Sequence, residues 1–182
     1  TFVLTVLTFS IPANALSKDC KMKIDFRSQA DSQDWFAVND GVMGGRSSGG
    51  PRLEDGNMVF EGKINTNGGG FSSVRTGMEP GSLSEASGLT FRVKSDGRAY
   101  KVTLRTNAYY RYRPISFQAE IPKTPAGEWK TVTVPFDNLE ASLFGRRIMG
   151  ATFNKSAVQE LGIILADGQD GPFRIEVETI AS

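Results

Sequence analysis

The sequence predicts an all-β fold, a single antiparallel β-sandwich of jelly-roll type. Three observations predict it. Apolar and polar residues alternate with a period of two along several short stretches. Clusters of Gly, Asn, Asp, Ser and Pro separate these stretches, and helical spacing is scarce. Alternation is the mark of a strand with one buried face, and the clusters supply positive φ and side-chain turns. No succession of strand and helix suggests a doubly wound parallel sheet.

The elements follow in chain order. Residues 1–15, TFVLTVLTFSIPANA, carry no charge: an apolar run from Phe2 to Phe9 precedes Pro12 and Ala13-Asn14-Ala15. An apolar region ahead of a small-x-small site is the pattern that ends a secretory signal peptide, cleaved after Ala15. The alternative is a buried first strand. A membrane span takes ~20 apolar residues, more than this run holds. The expectation is an exported protein, periplasmic or secreted, with a short segment over 16–23, one sandwich domain over 24–182 and no span in the mature chain. Cys20 follows Lys18-Asp19 and lacks the small residues that precede a bacterial lipid-attachment cysteine.

Further on, Met58, Phe60 and Ile64 share a face opposite Glu61, Lys63 and Asn65. Leu89, Phe91 and Val93 alternate with Thr90, Arg92 and Lys94, and Val102 and Leu104 with Lys101, Thr103 and Arg105. Phe173, Ile175 and Val177 alternate with Arg174, Glu176 and Glu178. Strands are also expected over residues 71–75, 115–121, 129–135 and 161–165. Turns are expected at 39–41, 47–51, 55–56, 67–70, 96–97 and 167–172. A short helix is expected over 31–35, and one or two helical turns over 138–144 or 155–161.

Composition then limits the chemistry. The 182 residues include one cysteine and no histidine. No Ser-His-Asp or Cys-His nucleophile can be built without an imidazole, no zinc site from one such ligand, and no intrachain disulfide from one thiol. A formal net charge of +1 provides no field that implies nucleic acid or an anionic membrane as partner. The glycine-rich stretches lack the order and flanking strand and helix of a dinucleotide fingerprint, and Gly62-Lys63 lacks the spacing of a P-loop. Asp167-Gly168-Gln169-Asp170-Gly171 has too few carboxylates for an EF-hand and reads as a hairpin turn. Carboxylate pairs can perform acid–base chemistry without histidine, but no motif singles out a pair. The expectation is no catalytic residue, no metal and no cofactor.

The informative stretch is Arg105-Thr106-Asn107-Ala108-Tyr109-Tyr110-Arg111-Tyr112-Arg113. In an extended chain Tyr109, Arg111 and Arg113 share one side, and Tyr110 and Tyr112 the other. Aromatic plates beside Arg and Asn donors suit a sugar or planar ligand on an open β face. They also suit a protein contact, where Tyr and Arg anchor, and they suit cross-strand packing of Arg over rings. The candidate ligand or partner face is Arg75, Arg105, Asn107, Tyr109, Tyr110, Arg111 and Tyr112. Asn39, Asp40, Gly41, Gly44, Gly45, Gly69, Gly70 and Phe71 form the candidate structural motif. There, Asn39 and Asp40 are expected to bond neighbouring backbone N–H groups, and the glycines to permit a tight crossing of chain.

Several blocks resemble the complex I intermediate-associated protein 30 (CIA30) family. They are Asp25-Phe26, the run from Trp35 to Ser47 (WFAVNDGVMGGRS), Phe60-Glu61-Gly62 and the run from Asn67 to Arg75 (NGGGFSSVR). Gly127-Glu128-Trp129, Val134-Pro135-Phe136, Phe144-Gly145-Arg146-Arg147 and the close from Gly171 to Val177 (GPFRIEV) continue the likeness in order. The resemblance implies a galactose-binding-like β-sandwich. It implies action through protein contacts, since mitochondrial members are assembly factors for respiratory complex I. The functional expectation is a non-catalytic protein that binds a partner protein. The alternative is a carbohydrate-binding module recognising a glycan on an open β face.

Overall fold

The computed structural model describes residues 22–28 and 34–182. The expected signal peptide and residues 31–33 of the expected helix lie outside the described residues. Asp34, the next residue of that helix, forms a bend, and Trp35 belongs to no helix or strand.

Two antiparallel sheets face each other, with strands numbered along the chain. The first runs β3 (Ser48–Glu54), β4 (Asn57–Ile64), β13 (Gly171–Ala181), β6 (Gly88–Ser95) and β9 (Trp129–Pro135). Its sixth strand, β1 (Lys23–Asp25), pairs with residues 179–181 of β13, beyond the stretch 171–177 that β4 covers. The second sheet has seven strands. In order they are β11 (Arg146–Arg147), β10 (Glu140–Leu143), β8 (Arg113–Glu120), β7 (Tyr100–Tyr110), β12 (Glu160–Leu165), β5 (Ser72–Gly77) and β2 (Phe36–Asn39). The chain passes repeatedly between the sheets, as a jelly roll does. The expected all-β sandwich is the fold observed.

Period-two alternation explains the core. Met58, Phe60 and Ile64 of β4, Leu89, Phe91 and Val93 of β6, and Phe173, Ile175 and Val177 of β13 are buried on the inner side of one sheet. Val102 and Leu104 of β7 and Leu161, Ile163 and Leu165 of β12 meet them from the other. Phe60 and Phe173 pack edge to face with centroids 4.8 Å apart, and Tyr100 closes the aromatic group. A smaller cluster of Ile115, Phe117 and Ala141 fills the β8–β10 side.

Four expectations are corrected. Residues 47–51 are not a turn, because Ser48 to Pro51 lie in β3 and pair residue by residue with β4. β3 is an edge strand, where the missing N–H of Pro51 leaves no ladder bond unmade. Residues 138–144 are not helical: β10 follows a 3₁₀ turn over Phe136–Asn138 and pairs with β8. In 155–161 the 3₁₀ turn stops at Ala157, and strand β12 begins at Glu160. The turn at 167–171 is real but closes no hairpin, since it carries the chain from β12 in one sheet to β13 in the other. Arg98 pins it. Its guanidinium holds both Asp167 oxygens, at 2.9 and 2.6 Å, and donates to the carbonyls of Gln169, Gly171 and Pro172.

Candidate functional site

The block Asn39 to Ser47 (NDGVMGGRS) carries the chain from β2 in one sheet to β3 in the other, through a 3₁₀ turn over Asp40–Met43. Asp40 is fully buried. Its carboxylate accepts the N–H and hydroxyl of Ser47 at 2.8 and 2.5 Å, and the N–H groups of Gly70 and Phe71 at 2.6 and 3.3 Å. Burial alone would raise this carboxyl. The Ser47 hydroxyl and the three N–H groups outweigh it and hold the carboxyl below its ordinary value. A Cβ on Gly45 or Gly69 would lie 2.7 or 2.8 Å from the Asp40 Cβ, so side chains there are sterically excluded. Gly44 instead takes the left-handed conformation, φ 86°, that closes the turn. Among the described residues the Asn39 side chain bonds no N–H: it donates to the Gly49 carbonyl at 3.0 Å and accepts the Ser72 hydroxyl at 2.5 Å. The two glycine-rich blocks are thus one clasp that joins the sheets. Gly41 meets nothing there, and Val42 and Met43 face solvent.

The outer face of the seven-stranded sheet carries Arg75, Arg105 and Tyr109 of the candidate residues. Strand register sets two rows across it. Phe36, Arg75, Gly162, Thr103, Gln118 and Glu140 form one. Gly77, Glu160, Arg105, Ser116, Ser142 and Arg147 form the next. Arg75 Nη1 donates to Glu160 Oε1 at 3.0 Å, and its Nε to the Ser73 hydroxyl at 3.3 Å. Arg105 approaches the same oxygen at 3.6 Å, yet its buried Nε makes no hydrogen bond among the described residues. Burial and the like charge of Arg105 push the Arg75 guanidinium below its ordinary value. Arg75 reaches Glu160 by crossing Gly162, where a Cβ would stand 3.0 Å from Arg75 Cγ.

The rest of the Tyr/Arg stretch forms the tip of the β7–β8 hairpin. Register shifts between Arg105 and Tyr109, and the exposed Asn107 sits in that irregularity. Tyr109 pairs with Pro114, on the Arg105 side of the hairpin by the alternation of Pro114 and Ser116, while Tyr110 pairs with Arg113. Arg111 and Tyr112 take φ of 47° and 65° and make the two-residue turn. The expected alternation through Arg111 and Tyr112 is therefore broken, because both residues turn the chain. Such mirror-image turns favour Asn-Gly, and a left-handed residue with a side chain costs roughly 1–2 kcal/mol. Tyr112 is 98% exposed and Tyr109 66%. Arg111 lies 5.4 Å from the Tyr110 ring and Arg113 5.6 Å from that of Phe144. Arg111, Arg113 and Arg146 have no carboxylate partner among the described residues.

Arg75, Arg105 and Tyr109 therefore share a face, whereas Tyr110 and Tyr112 do not line it. Sequence reasoning missed Glu160, Gly162, Ser116 and Gln118. The available signal was Glu160 standing one residue ahead of an expected strand, with its parity placing it outward. A shallow depression of about 520 Å³ lies elsewhere, lined by Glu61, Gly62, Asp96, Pro172, Phe173 and Arg174. Its acids are engaged: Glu61 by Arg174 at 2.7 Å, and Asp96 by the Tyr100 hydroxyl and the Arg174 N–H. Among the described residues no cluster of three His, Cys, Asp or Glu could hold a metal ion, and no helix is long and apolar enough to cross a membrane.

The clasp, with Phe36 and Arg75 of the adjoining face, is built from the sequence blocks singled out above. The family model described as "Complex I intermediate-associated protein 30 (CIA30)" matches residues 24–177. The chain belongs to the CIA30 family. A curated relative, "Complex I intermediate-associated protein 30, mitochondrial" of Mus musculus, is 24% identical over 175 residues, covering 85% of this chain and 53% of its own length. The chain thus spans about half the length of this CIA30 relative. Among solved structures, the family 11 carbohydrate-binding module of a cellulosomal cellulase of Clostridium thermocellum superposes with a TM-score of 0.66 at 16% identity, covering 88% of this chain and 93% of that one. The same module in complex with a β-1,3-1,4-mixed-linked tetrasaccharide gives 0.60 at 18% identity, covering 82% and 88%. A family 30 carbohydrate-binding module gives 0.54 at 15%, covering 88% and 99%. At these identities the likeness is one of fold.

Proposed function

We propose that this CIA30-family chain is a non-catalytic binding protein that engages a partner protein through the hairpin tip of Tyr109, Tyr110, Arg111 and Tyr112. One observation carries the reading. Two bulky residues, Arg111 and Tyr112, hold left-handed conformations that cost stability, and the result is a tyrosine presented almost wholly to solvent. Beyond the Arg111 contact with the Tyr110 ring, this strain leaves Tyr112 in solvent, and contact outside the molecule reconciles it. Tyr and Arg are the side chains that anchor interfaces. A role in assembling respiratory complex I enters by analogy with the name of the mouse relative. Export is part of the proposal, on the N-terminal pattern ending at Ala15.

Crosslinking with mass spectrometry in the native host tests it. The wild-type chain should join reproducibly to one protein through the tip, and a Tyr109→Ala/Tyr112→Ala variant should lose that neighbour without a change in Tm. Identical neighbours for both chains overturn the tip as the site, and cytosolic neighbours overturn export.

A second reading is favoured by a separate observation, the polar outer face of the seven-stranded sheet. Ser116 and Gln118, both half-buried, lie on the rows of Arg105 and Arg75 there, with Phe36 at one edge and Tyr109 beyond the next row. Hydroxyl, amide and guanidinium groups between aromatic plates suit a saccharide, and solved modules of this fold bear the name carbohydrate-binding.

A further inference from the structure

We propose that Arg75, Glu160 and Arg105 form an acceptor site for the carboxylate of an acidic saccharide on the outer face of the seven-stranded sheet. This rests on the saccharide reading of that face and names the class of sugar it takes.

The charges are the starting point. Two guanidinium groups face one carboxylate, so the cluster carries one positive charge in excess. The sharing is unequal. Arg75 is nearly buried, its side chain 11% exposed, and it uses Glu160 and Ser73 fully. Arg105 is 39% exposed, touches the same Glu160 oxygen only at 3.6 Å, and forms no hydrogen bond with its side chain among the described residues. Its other guanidinium nitrogens are therefore free to donate to an incoming anion. A guanidinium presents paired N–H donors that match the two oxygens of a carboxylate. Burial and mutual repulsion of the two arginines set a standing cost that an added negative charge relieves.

The surroundings select the kind of molecule bearing that carboxylate. Thr103 and Ser142 are buried, but along the row of Arg105 lies the half-buried hydroxyl of Ser116, and along the row of Arg75 the half-buried amide of Gln118. These groups pair with sugar hydroxyls. Gly162 lets the Arg75 and Thr103 side chains close over the strand, so the Arg75 guanidinium is held toward Glu160. Phe36, 47% exposed, stands at the β2 edge, and Tyr109, 66% exposed, stands toward the hairpin tip. Rings at these two ends offer plates for the apolar faces of sugars. A protein interface of ordinary composition places apolar side chains at its centre and depletes charge there. This face does the reverse, with a charged centre and its apolar groups at the margins. An acidic oligosaccharide meets each part of it: carboxylate at the arginines, hydroxyls along the rows, rings at the ends.

Calorimetric titration of the full chain with four probes tests the site: tetragalacturonate, its methyl ester, a neutral mixed-linked β-glucan tetrasaccharide and tetraglutamate. Tetragalacturonate should bind at least about tenfold more tightly than the ester, the strength of one charge-assisted hydrogen bond. Its affinity should fall with added salt. Arg105→Gln should weaken it by at least about tenfold, Arg105→Lys less, and Lys130→Gln on the other sheet should leave it unchanged. Circular dichroism and Tm report that each variant is folded. Equal affinity for acid, ester and neutral glucan overturns the acidic site and leaves the saccharide reading standing. No binding of any saccharide overturns both. Tetraglutamate binding as tightly as tetragalacturonate, with the same Arg105 dependence, overturns the saccharide and makes the face a docking site for acidic protein segments.

Discussion

The outer faces of the two sheets are both rich in charge and handle it in opposite ways. On the six-stranded sheet the charges satisfy one another. Arg174 reaches Glu61 at 2.7 Å, Glu176 at 3.1 Å and Glu54 at 3.3 Å, while Arg52 pairs with Glu54 and Glu61. Lys94 holds Glu176 at 3.0 Å, and Arg92 and Lys94 cover Trp129. On the seven-stranded sheet Arg75 and Arg105 share one glutamate, and Arg111 and Arg113 of the hairpin tip have none among the described residues. The strands of this second sheet with the β7–β8 turn hold seven basic residues, Arg75, Lys101, Arg105, Arg111, Arg113, Arg146 and Arg147. Against them stand three acids, Glu120, Glu140 and Glu160. A net charge of +1 conceals this asymmetry. Paired charges keep a sheet soluble. Charges left unpaired at a cost to stability are the ones available to a ligand.

The comparison holds only while the clasp fixes the sheets relative to each other, so breaking the clasp gives the largest effect. Asp40→Ala leaves the N–H groups of Ser47, Gly70 and Phe71 without their acceptor. At about 1–3 kcal/mol for each buried unsatisfied group, a loss of about 3 kcal/mol or more is expected. Thermal melting should show a fall in Tm of roughly 6–12 °C. Gly45→Val should match or exceed it, because its side chain would occupy the Asp40 site. If either variant melts like wild type, the clasp is not what joins the faces. The same carboxyl predicts a pH effect. Its folded value is depressed, so its contribution is fully present above the unfolded value of about 4 and is lost as pH falls below that. Wild-type stability should therefore decline more steeply on acidification below about pH 4 than that of Asp40→Ala.

The clasp also shows what sequence can carry. Its spacing of Asn, Asp and Gly announced a tight crossing, and Asp40 bonding to backbone N–H groups was legible in residue type. That two of those N–H groups belong to residues 70 and 71 was not, because the contact spans 30 residues of chain. Strands with one buried face were legible through their period, whereas β3 was not, since Ser-Gly-Gly-Pro is turn composition held extended by its pairing with β4. Arg75 and Arg105 were legible as candidates by type. Glu160, which unites them, was not: it meets them across strands 85 and 55 residues away, and only sheet order brings them together. The turn at 167–171 was legible as a turn, but the sheet its second strand would join was decided by tertiary packing.

The hairpin tip gives an intermediate effect of opposite sign. Replacing Arg111-Tyr112 with Asn-Gly supplies the residues that a turn with two positive φ values favours. Stability should rise by about 1–2 kcal/mol in denaturant titration, while the crosslinked neighbour of the wild-type tip is lost. A gain in stability with loss of partner marks a tip held strained for binding. A loss of stability would mean that Arg111 and Tyr112 pack usefully within the fold, and the contrast between the sheets would then rest on Arg75 and Arg105 alone.

The smallest effect discriminates most finely, because the two faces should answer the same substitution with different signs. Arg174→Gln removes the hub of three ion pairs at a half-exposed site, and a loss of about 0.5–1 kcal/mol is expected. Arg105→Gln removes a guanidinium that has no hydrogen bond among the described residues, leaves Glu160 to Arg75, and ends the repulsion between the two arginines. Stability should be unchanged or higher by up to about 0.5 kcal/mol. Raising the salt concentration should shrink the Arg174 penalty, since surface ion pairs are screened. Denaturant titration of both variants at low and high salt measures all of this. Equal losses would mean that Arg105 serves the fold as Arg174 does, and its freedom to meet a carboxylate would be gone. Opposite responses would mean that one sheet spends its charge on itself and the other holds Arg105 in reserve.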